Sequence, residues 1–445
     1  MVSNIVQLSA VELAKQIADG SISVVEVAKT FLAQIEDVDA KVQAFQHLNI
    51  EHVLAVANKM DEMRVSGRSL GPLHGVPVAV KDIIDTLDFP TENGLAADKG
   101  RRAEKDAFLV SKLRAAGALI IGKTVTTEAA YYQPSKTRNP HNLEHTPGGS
   151  SSGSAASVAA QMVPLSVGSQ TNGSVIRPAS FCGVVGFKPG YGQIARTGVL
   201  KLSSSLDQMG VFARSVEDAA LLADVLIGAD GEDESVPFAA HPRLQETAIS
   251  KPPVRPALAF APAPDWDEKA NGDAKEAFSE LVGAIGDVDN VPLPQVYAEC
   301  MTMHGVVMAT EMSRNLSKYG EGEAPISDHL KKIIEDGRAV SAHDYLAAKD
   351  WQYVFLSGLE EVFERYDAII TPASYGEAPK DLSHTGDPGA CSLWTYCGLP
   401  AITLPLLMSE NEMPIGVQLI GPRGEDGRLL RTANWLVNML SSQEV

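Results

Sequence analysis

Short apolar runs alternate with helical segments through the first half of the chain, and this alternation limits the fold more than any other feature. The runs VPVAVKD (76–82), ALIIGKT (118–124) and MVPLSVGS (162–169) have the length and composition of short buried strands. The segment 104–117, just before the second run, is predicted to be a helix. Strands that alternate with helices build a parallel or mixed sheet covered by helices. The sequence therefore predicts an α/β fold.

The two ends of the chain extend the same pattern. Ser9 and Ser23 each stand three residues before a glutamate, which is the capping-box pattern, so residues 9–38 are predicted to form helices. Strands return near the C-terminus. They are YDAIITPAS (366–374), YCGLPAITLPL (396–406) and IGVQLIGPR (415–423), and a helix at 425–441 closes the chain.

The middle of the chain differs in composition. Residues 228–295 are rich in Pro, Asp and Glu and predict an exposed loop, the strand PALAFAP (256–262) and a surface helix from about Lys269 to Ile285. Residues 296–365 are predicted to be mostly helical. Because strands stand on both sides of this middle part, we expect one domain whose central sheet draws on both ends. Its parts over residues 1–445 are core motifs at 70–200, a helical and loop region at about 228–365, and C-terminal strands and a helix at 366–445.

The bulk properties narrow the class of protein. The formal net charge of −19 argues against nucleic-acid binding, which needs a basic face. No apolar run reaches the ~18 residues of a membrane span, and the first twenty residues lack the regions of a signal peptide. The four cysteines show neither a CxxC pair nor metal-ligand spacing. We expect a cytoplasmic protein with buried free thiols, no metal or cofactor, and neither nucleic acid nor membrane as a partner.

A serine-rich run, HTPGGSSSGSAASVAAQM (145–162), raises the first question about function. Composition alone favours a flexible linker. A glycine-rich turn before a helix can also bind an anion, but a phosphate loop is excluded because no GK[ST] follows. The run is short and continues directly into the small-residue segment SAASVAAQMVPL, which predicts a closely packed helix rather than a linker.

A second run, VGSQTNGSVIRPASFCG (167–183), can place a nucleophile in a tight loop. Asn172 and Gly173 tolerate restricted backbone conformations, so successive N–H groups can face one small space beside Ser174. Such a serine has an oxyanion hole next to it. No histidine base lies nearby in the sequence.

Lys81, at the end of VPVAVKD, is the candidate base. A buried lysine is held partly neutral and can then accept a proton. The alternative is a lysine that reaches solvent or pairs with Asp82 or Asp85. From chemistry alone, both interpretations stay open.

Together, GVPVAVKD, TPGGSSSGS and GSQTNGSVIRPASFCGVVGFKP strongly resemble the amidase signature family of serine hydrolases. The similarity extends over nearly the whole chain, to CGLPAITLPL and GVQLIGP. The resemblance implies a single large mixed, twisted sheet between helical layers. The SQT…SVIRP run is similar to the malonamidase-like branch, whose substrates are small amides that bear a carboxylate.

The resemblance also implies a Ser–cis-Ser–Lys triad. By motif position Ser174 is the nucleophile, Ser150 is the bridging serine and Lys81 is the base. The peptide bond between Gly149 and Ser150 is expected to be cis. The N–H groups of the loop Thr171–Ser174 would bind the oxyanion. The serine-rich run would then be half of an active site.

Substrate-binding residues are predicted around this triad. Arg177, three residues after the nucleophile, could bind a substrate carboxylate or instead hold the loop through backbone carbonyls. Gly149 and Gln170 lie within the two motifs. Tyr131 and Tyr132, in EAAYYQPS, fall where the family places pocket residues, although they could equally belong to the core.

The sequence departs from the family at two positions. Asn172 and Gly173 stand where many members have two glycines, and Gln170 stands where many have aspartate. The Asn172 side chain could narrow the pocket, bind substrate or impair catalysis.

The resulting expectation is a free amidohydrolase that acts as a homodimer on a small amide, without cofactor, through an acyl-enzyme. One alternative is the glutamine-hydrolysing subunit of a tRNA-dependent amidotransferase, which would need a stable partner chain. The other is an amidase-like binding protein that has lost catalysis, with Asn172 as the sign of decay. Intact Lys81, Ser150 and Ser174 count against the last.

Overall fold

An 11-stranded mixed β-sheet runs through the computed structural model, which describes residues 5–442. The strands are β1 (Phe45–Leu48), β2 (Pro77–Lys81), β3 (Leu119–Thr124), β4 (Leu165–Gln170), β5 (Val185–Lys188), β6 (Gln208–Ala213), β7 (Leu258–Phe260), β8 (Val288–Asn290), β9 (Ala368–Pro372), β10 (Ala401–Met408) and β11 (Pro414–Ile420). Their order in the sheet is β1-β3-β2-β4-β6-β5-β10-β11-β9-β7-β8. The predicted α/β fold with one mixed sheet is confirmed, and both ends of the chain contribute strands to it.

The pairing of the first strands decides where the serine-rich runs meet. Strand β2 lies between β3 and β4 and is parallel to both, with Val80 opposite Lys123 on one side and Val167 on the other. The carboxyl ends of parallel strands lie at the same edge of a sheet. Lys81, the last residue of β2, therefore lies beside the loop that follows β4.

Sixteen α-helices accompany the sheet in the described residues. They are α1 (Ala10–Asp19), α2 (Val24–Val42), α3 (Ile50–Val65), α4 (Phe108–Ala115), α5 (Ser152–Ala159), α6 (Ile176–Phe181), α7 (Val216–Leu226), α8 (Leu244–Ala248), α9 (Trp266–Lys269), α10 (Gly272–Ile285), α11 (Cys300–Asn315), α12 (Ser317–Gly320), α13 (Asp328–Ala339), α14 (Ala342–Phe363), α15 (Gly389–Tyr396) and α16 (Asp426–Ser441). Both predicted capping boxes are present, with Ser9 before α1 and Ser23 before α2.

Two predicted helices begin later than expected, because tertiary or capping contacts take up their first residues. The helix predicted at 104–117 begins only at Phe108, since the N–H of Ala107 donates to the carbonyl of Asp85 in a neighbouring loop. The surface helix predicted from about Lys269 begins at Gly272, because the short helix α9 ends at Lys269 and α10 starts anew. Asn271 caps α10 by accepting from the N–H of Ala274.

One large apolar core contains side chains from the N-terminal helices, the central strands and α16. All four cysteines are buried free thiols, as expected. None of the helices between residues 5 and 442 is long and apolar enough to cross a membrane.

Candidate active site

Lys81 is a buried lysine that contacts two serines at the end of β2. Its Nζ lies 2.8 Å from Ser150 Oγ and 3.0 Å from Ser169 Oγ. Burial lowers the pKa of Lys81 to about 7, against the opposing charge of Asp207. A large fraction of the amine is therefore neutral near pH 7.

The alternative roles of Lys81, solvent contact or pairing with a neighbouring aspartate, are wrong. The side chain is fully buried. Asp82 instead pairs with Lys123, whose Nζ lies 3.1 Å from Oδ1. Asp85 pairs with Arg101.

The serine-rich run is buried and ordered by close contacts, so the linker interpretation is wrong. Ser150 follows a cis peptide bond from Gly149, as the resemblance implied. The first turn of α5 packs so closely against the backbone of Ala44 that a Cβ on Gly153 would lie 2.2 Å from the Ala44 carbonyl oxygen. Ser152 Oγ donates to the carbonyl of Gly148 at 2.8 Å. These contacts fix the position of the Ser150 hydroxyl at Lys81.

The loop after β4 presents three backbone N–H groups without a protein acceptor. Across the part of the chain that the structure describes, nothing accepts from the N–H of Asn172, Gly173 or Ser174. Ser174 and Ser150 line the same narrow pocket, with a volume of about 20 Å³. Free N–H groups beside a serine hydroxyl can bind the oxyanion of a tetrahedral intermediate.

Gln170 supports this loop from within the protein. Its Oε1 accepts from the N–H groups of Val175 and Ile176 at 2.7 and 2.9 Å, and its Nε2 donates to Thr395 Oγ1 at 2.8 Å. The side chain is 1% exposed. The sequence predicted that Gln170 binds substrate, but these hydrogen bonds go to the loop and to α15, which favours a role in positioning the loop instead.

Asn172 fits the loop without strain, because its φ lies outside the positive range that favours glycine. Its Oδ1 accepts from Ser392 Oγ at 2.6 Å, and its carbonyl accepts from Thr395 Oγ1 at 2.5 Å. It also lines the pocket. The side chain therefore ties the nucleophile loop to α15.

Arg177 is a buried guanidinium with two unsatisfied nitrogens. Its Nη2 donates to the Gly149 carbonyl at 2.8 Å and to Thr385 Oγ1 at 3.1 Å, so it does hold the loop. Its Nε and Nη1 have no hydrogen-bond partner among residues 5–442. A Cβ on Gly173 would lie 3.4 Å from Nη1. Burial lowers the pKa of Arg177. A buried cation with free donors beside the nucleophile loop favours an anionic group on the substrate.

Tyr131 and Tyr132 lie side by side, with ring centroids 4.5 Å apart, and both line the narrow pocket. Burial raises the pKa of each phenol. Both therefore stay protonated at neutral pH and offer hydroxyl groups as well as ring faces.

The family model described as Amidase matches residues 26–430. The chain belongs to the amidase family. Among curated proteins, it is similar to a glutamyl-tRNA(Gln) amidotransferase subunit from Symbiobacterium thermophilum (35% identical, covering 96% of this chain and 95% of that protein) and to the same subunit from Streptomyces avermitilis (33%, 96% and 94%).

Solved structures agree with this assignment. One, described as a vestigial protein complex that reveals the evolutionary origins of an s-triazine catabolic enzyme, is 28% identical with a TM-score of 0.89, covering 98% of this chain and 99% of that one. The 6-aminohexanoate cyclic dimer hydrolase complexed with substrate is 26% identical with a TM-score of 0.85, covering 98% of both chains. This amidase is therefore an enzyme that acts on amide C–N bonds.

The partners expected from the sequence are corrected by the comparison. The sequence predicts a homodimer that acts on a small molecule without nucleic acid, whereas the curated relatives are named as a subunit of an enzyme acting on a glutamyl-tRNA. A net charge sums the whole surface, so the value of −19 does not exclude an assembly in which another chain supplies the basic face that RNA needs.

Sequence reasoning missed four residues that contact the triad or its loop: Ser169, Asp207, His304 and Thr395. Ser169 could have been found, because it stands in the second run on a strand parallel to β2. Asp207 accepts from Thr171 Oγ1 at 2.7 Å and lies close enough to raise the pKa of Lys81. His304 and Thr395 carry no sequence signal for this role, since both lie more than 100 residues after the two serine-containing runs.

Proposed function

We propose that this amidase is the glutamine-hydrolysing subunit of a tRNA-dependent amidotransferase and works in the cytoplasm with partner chains. One observation carries the proposal. Eight curated relatives, each 31–35% identical over at least 95% of this chain, all carry the name of the same glutamyl-tRNA(Gln) amidotransferase subunit.

The geometry supports a triad mechanism for this hydrolysis. Neutral Lys81 takes a proton through the Ser150 hydroxyl while Ser174 Oγ attacks the amide carbon, because a hydroxyl can accept and donate at once. The negative charge moves to the carbonyl oxygen, where the N–H groups of Asn172 and Gly173 bind it. The proton returns through Ser150 to the leaving nitrogen, and the C–N bond breaks to give ammonia and an acyl-enzyme on Ser174. Water then cleaves the ester to glutamate.

Arg177 would bind the α-carboxylate of glutamine. Its free Nη1 lies beside the nucleophile loop and can donate a charge-assisted hydrogen bond to that carboxylate. A substrate carboxylate would also neutralise a buried charge that has no ion-pair partner between residues 5 and 442. The pocket walls formed by Tyr131 and Tyr132 would hold the side chain of the substrate.

The first experiment measures release of glutamate and ammonia from glutamine, by the chain alone and by the complex that co-purifies with it, with and without glutamyl-tRNA. We expect hydrolysis that Ser174→Ala abolishes and that the complex stimulates. The glutamine assignment would be refuted if the protein does not hydrolyse glutamine but cleaves malonamate in a Ser174-dependent way.

Arg177→Leu tests the carboxylate site within the same assay. It is expected to raise KM for glutamine about 10-fold or more, since a hydrogen bond between charged groups contributes about 1.5–3 kcal/mol. The matched substrate is butanamide, which has the amide but no carboxylate and should show an unchanged KM. The matched variant Arg177→Lys keeps the charge, and its KM for glutamine should lie between those of the wild type and Arg177→Leu. An equal rise in KM for both substrates would mean that Arg177 only supports the fold.

A second candidate is hydrolysis of a different carboxylate-bearing amide, again in complex with another chain. Structural similarity to a chain of the vestigial protein complex favours a second chain, and the free donors of Arg177 favour a carboxylate on the substrate. The substrate comparison above separates the two, because only the first candidate predicts glutamine as the preferred amide.

A further inference from the structure

Two side chains from distant parts of the chain hold the carbonyl groups of the nucleophile loop. His304 lies on α11, is 1% exposed, and its Nε2 is 2.9 Å from the Thr171 carbonyl oxygen. Thr395 lies on α15, and its Oγ1 donates to the Asn172 carbonyl at 2.5 Å. Neither residue belongs to the motifs that identify the family.

The two contacts fix the directions of the next two N–H groups. In a planar trans peptide, the carbonyl of one residue and the N–H of the next point in opposite directions. His304 draws the Thr171 carbonyl to one side, so the N–H of Asn172 must point to the other. Thr395 does the same for the N–H of Gly173. These are two of the N–H groups that lack a protein acceptor among the described residues.

The hydrogen bonds have only one consistent direction. A carbonyl oxygen only accepts, so His304 Nε2 must carry the hydrogen. Burial lowers the pKa of His304 to about 4, which leaves the ring neutral at working pH with this tautomer fixed. Thr395 accepts from Gln170 Nε2 and donates to the Asn172 carbonyl, so its single hydroxyl hydrogen is committed.

We infer that His304 and Thr395 are positioning residues that preorganise the oxyanion hole, by holding the carbonyls of Thr171 and Asn172 away from the substrate. The inference rests on the proposed triad, but not on the identity of the amide. It also gives the helical middle of the chain a role, because α11 supplies one of the two supports. Preorganised donors stabilise the transition state more than the ground state, so their loss lowers kcat rather than raising KM.

The test compares matched variants at each position. His304→Leu removes the donor and His304→Gln restores one, while Thr395→Val removes the hydroxyl and Thr395→Ser restores it. Misdirecting one N–H is expected to lower kcat for the preferred amide by about 100-fold, with KM within about twofold. The donor-restoring variants should recover most of that loss. A purely structural role would instead lower the yield of folded protein or raise KM.

A second readout does not need the natural substrate. The rate at which a fluorophosphonate labels Ser174 depends on the nucleophile and the oxyanion hole alone, and a boronic acid mimics the tetrahedral adduct. Both labelling rate and boronate affinity should fall in His304→Leu and Thr395→Val. If the wild type is labelled but does not hydrolyse glutamine, the substrate assignment fails while this inference is still tested. The inference is overturned if folded His304→Leu and Thr395→Val label at the wild-type rate, or if the wild type is not labelled at Ser174.

Discussion

Replacing Lys81 with methionine is expected to abolish catalysis and to stabilise the fold at neutral pH. Burial lowers the pKa of this lysine from 10.5 to about 7, so about half of the native amine is neutral at pH 7 and unfolding takes up about half a proton. That difference costs the wild type about 4 kcal/mol at pH 7 and about 2 kcal/mol at pH 9. Methionine fills a similar volume without a charge. Loss of the hydrogen bonds to Ser150 and Ser169 destabilises the variant by about 2 kcal/mol at both pH values, which offsets part of this gain.

The sign of the pH dependence follows from linkage. Between pH 7 and 10.5 the unfolded chain binds more protons at this site than the native chain, so wild-type stability rises with pH. Lys81→Met should therefore be more stable than the wild type by about 2 kcal/mol at pH 7, and the gap should close near pH 9. Urea unfolding of both proteins at pH 7 and pH 9 measures this difference in the free energy of unfolding.

The control is Lys123→Met, which removes another buried lysine. Lys123 is paired with Asp82, so its loss leaves a buried carboxylate unpaired and should destabilise the fold by about 3–5 kcal/mol. A gap between the wild type and Lys81→Met that stays constant or widens as pH rises would refute the reasoning about Lys81.

Three further outcomes are expected. The value of kcat/KM for the preferred amide should rise about tenfold per pH unit below pH 7 and level off above it, because neutral Lys81 is the active form; a flat profile from pH 5 to 9 would exclude that base. Gly173→Ala should lower kcat at least tenfold, since the new Cβ would lie 3.2 Å from Pro388 Cβ and would displace the loop. Steady-state kinetics measure the loss of kcat, and a thermal melt checks that the variant is folded. Ser9→Ala should lower stability by about 1 kcal/mol through loss of the α1 capping box, with kcat unchanged because its capping partner Glu12 is not a residue of the site; a lower kcat in the folded variant would contradict this.

Most of the sheet could be predicted because local signals agree with the tertiary environment. Strands β2, β3 and β4 are short apolar runs, and burial on both faces is what such runs need. The helix boundaries near Phe108 and Asn271 could not be predicted, because contacts with a neighbouring loop or a capping side chain decide them. Propensity alone contains neither kind of information.

The sequence by itself determined the family, the α/β sheet and the three residues proposed as the triad, because the motifs are continuous and their order is fixed. Only the tertiary structure decided, for the residues that it describes, that Lys81 is buried without a paired carboxylate, that Gln170 supports the loop, and that Arg177 keeps two free donors. It alone brought His304 and Thr395 to the carbonyls of Thr171 and Asn172. A pKa and the direction of an N–H group depend on everything packed around them, and those neighbours come from parts of the chain far apart in sequence.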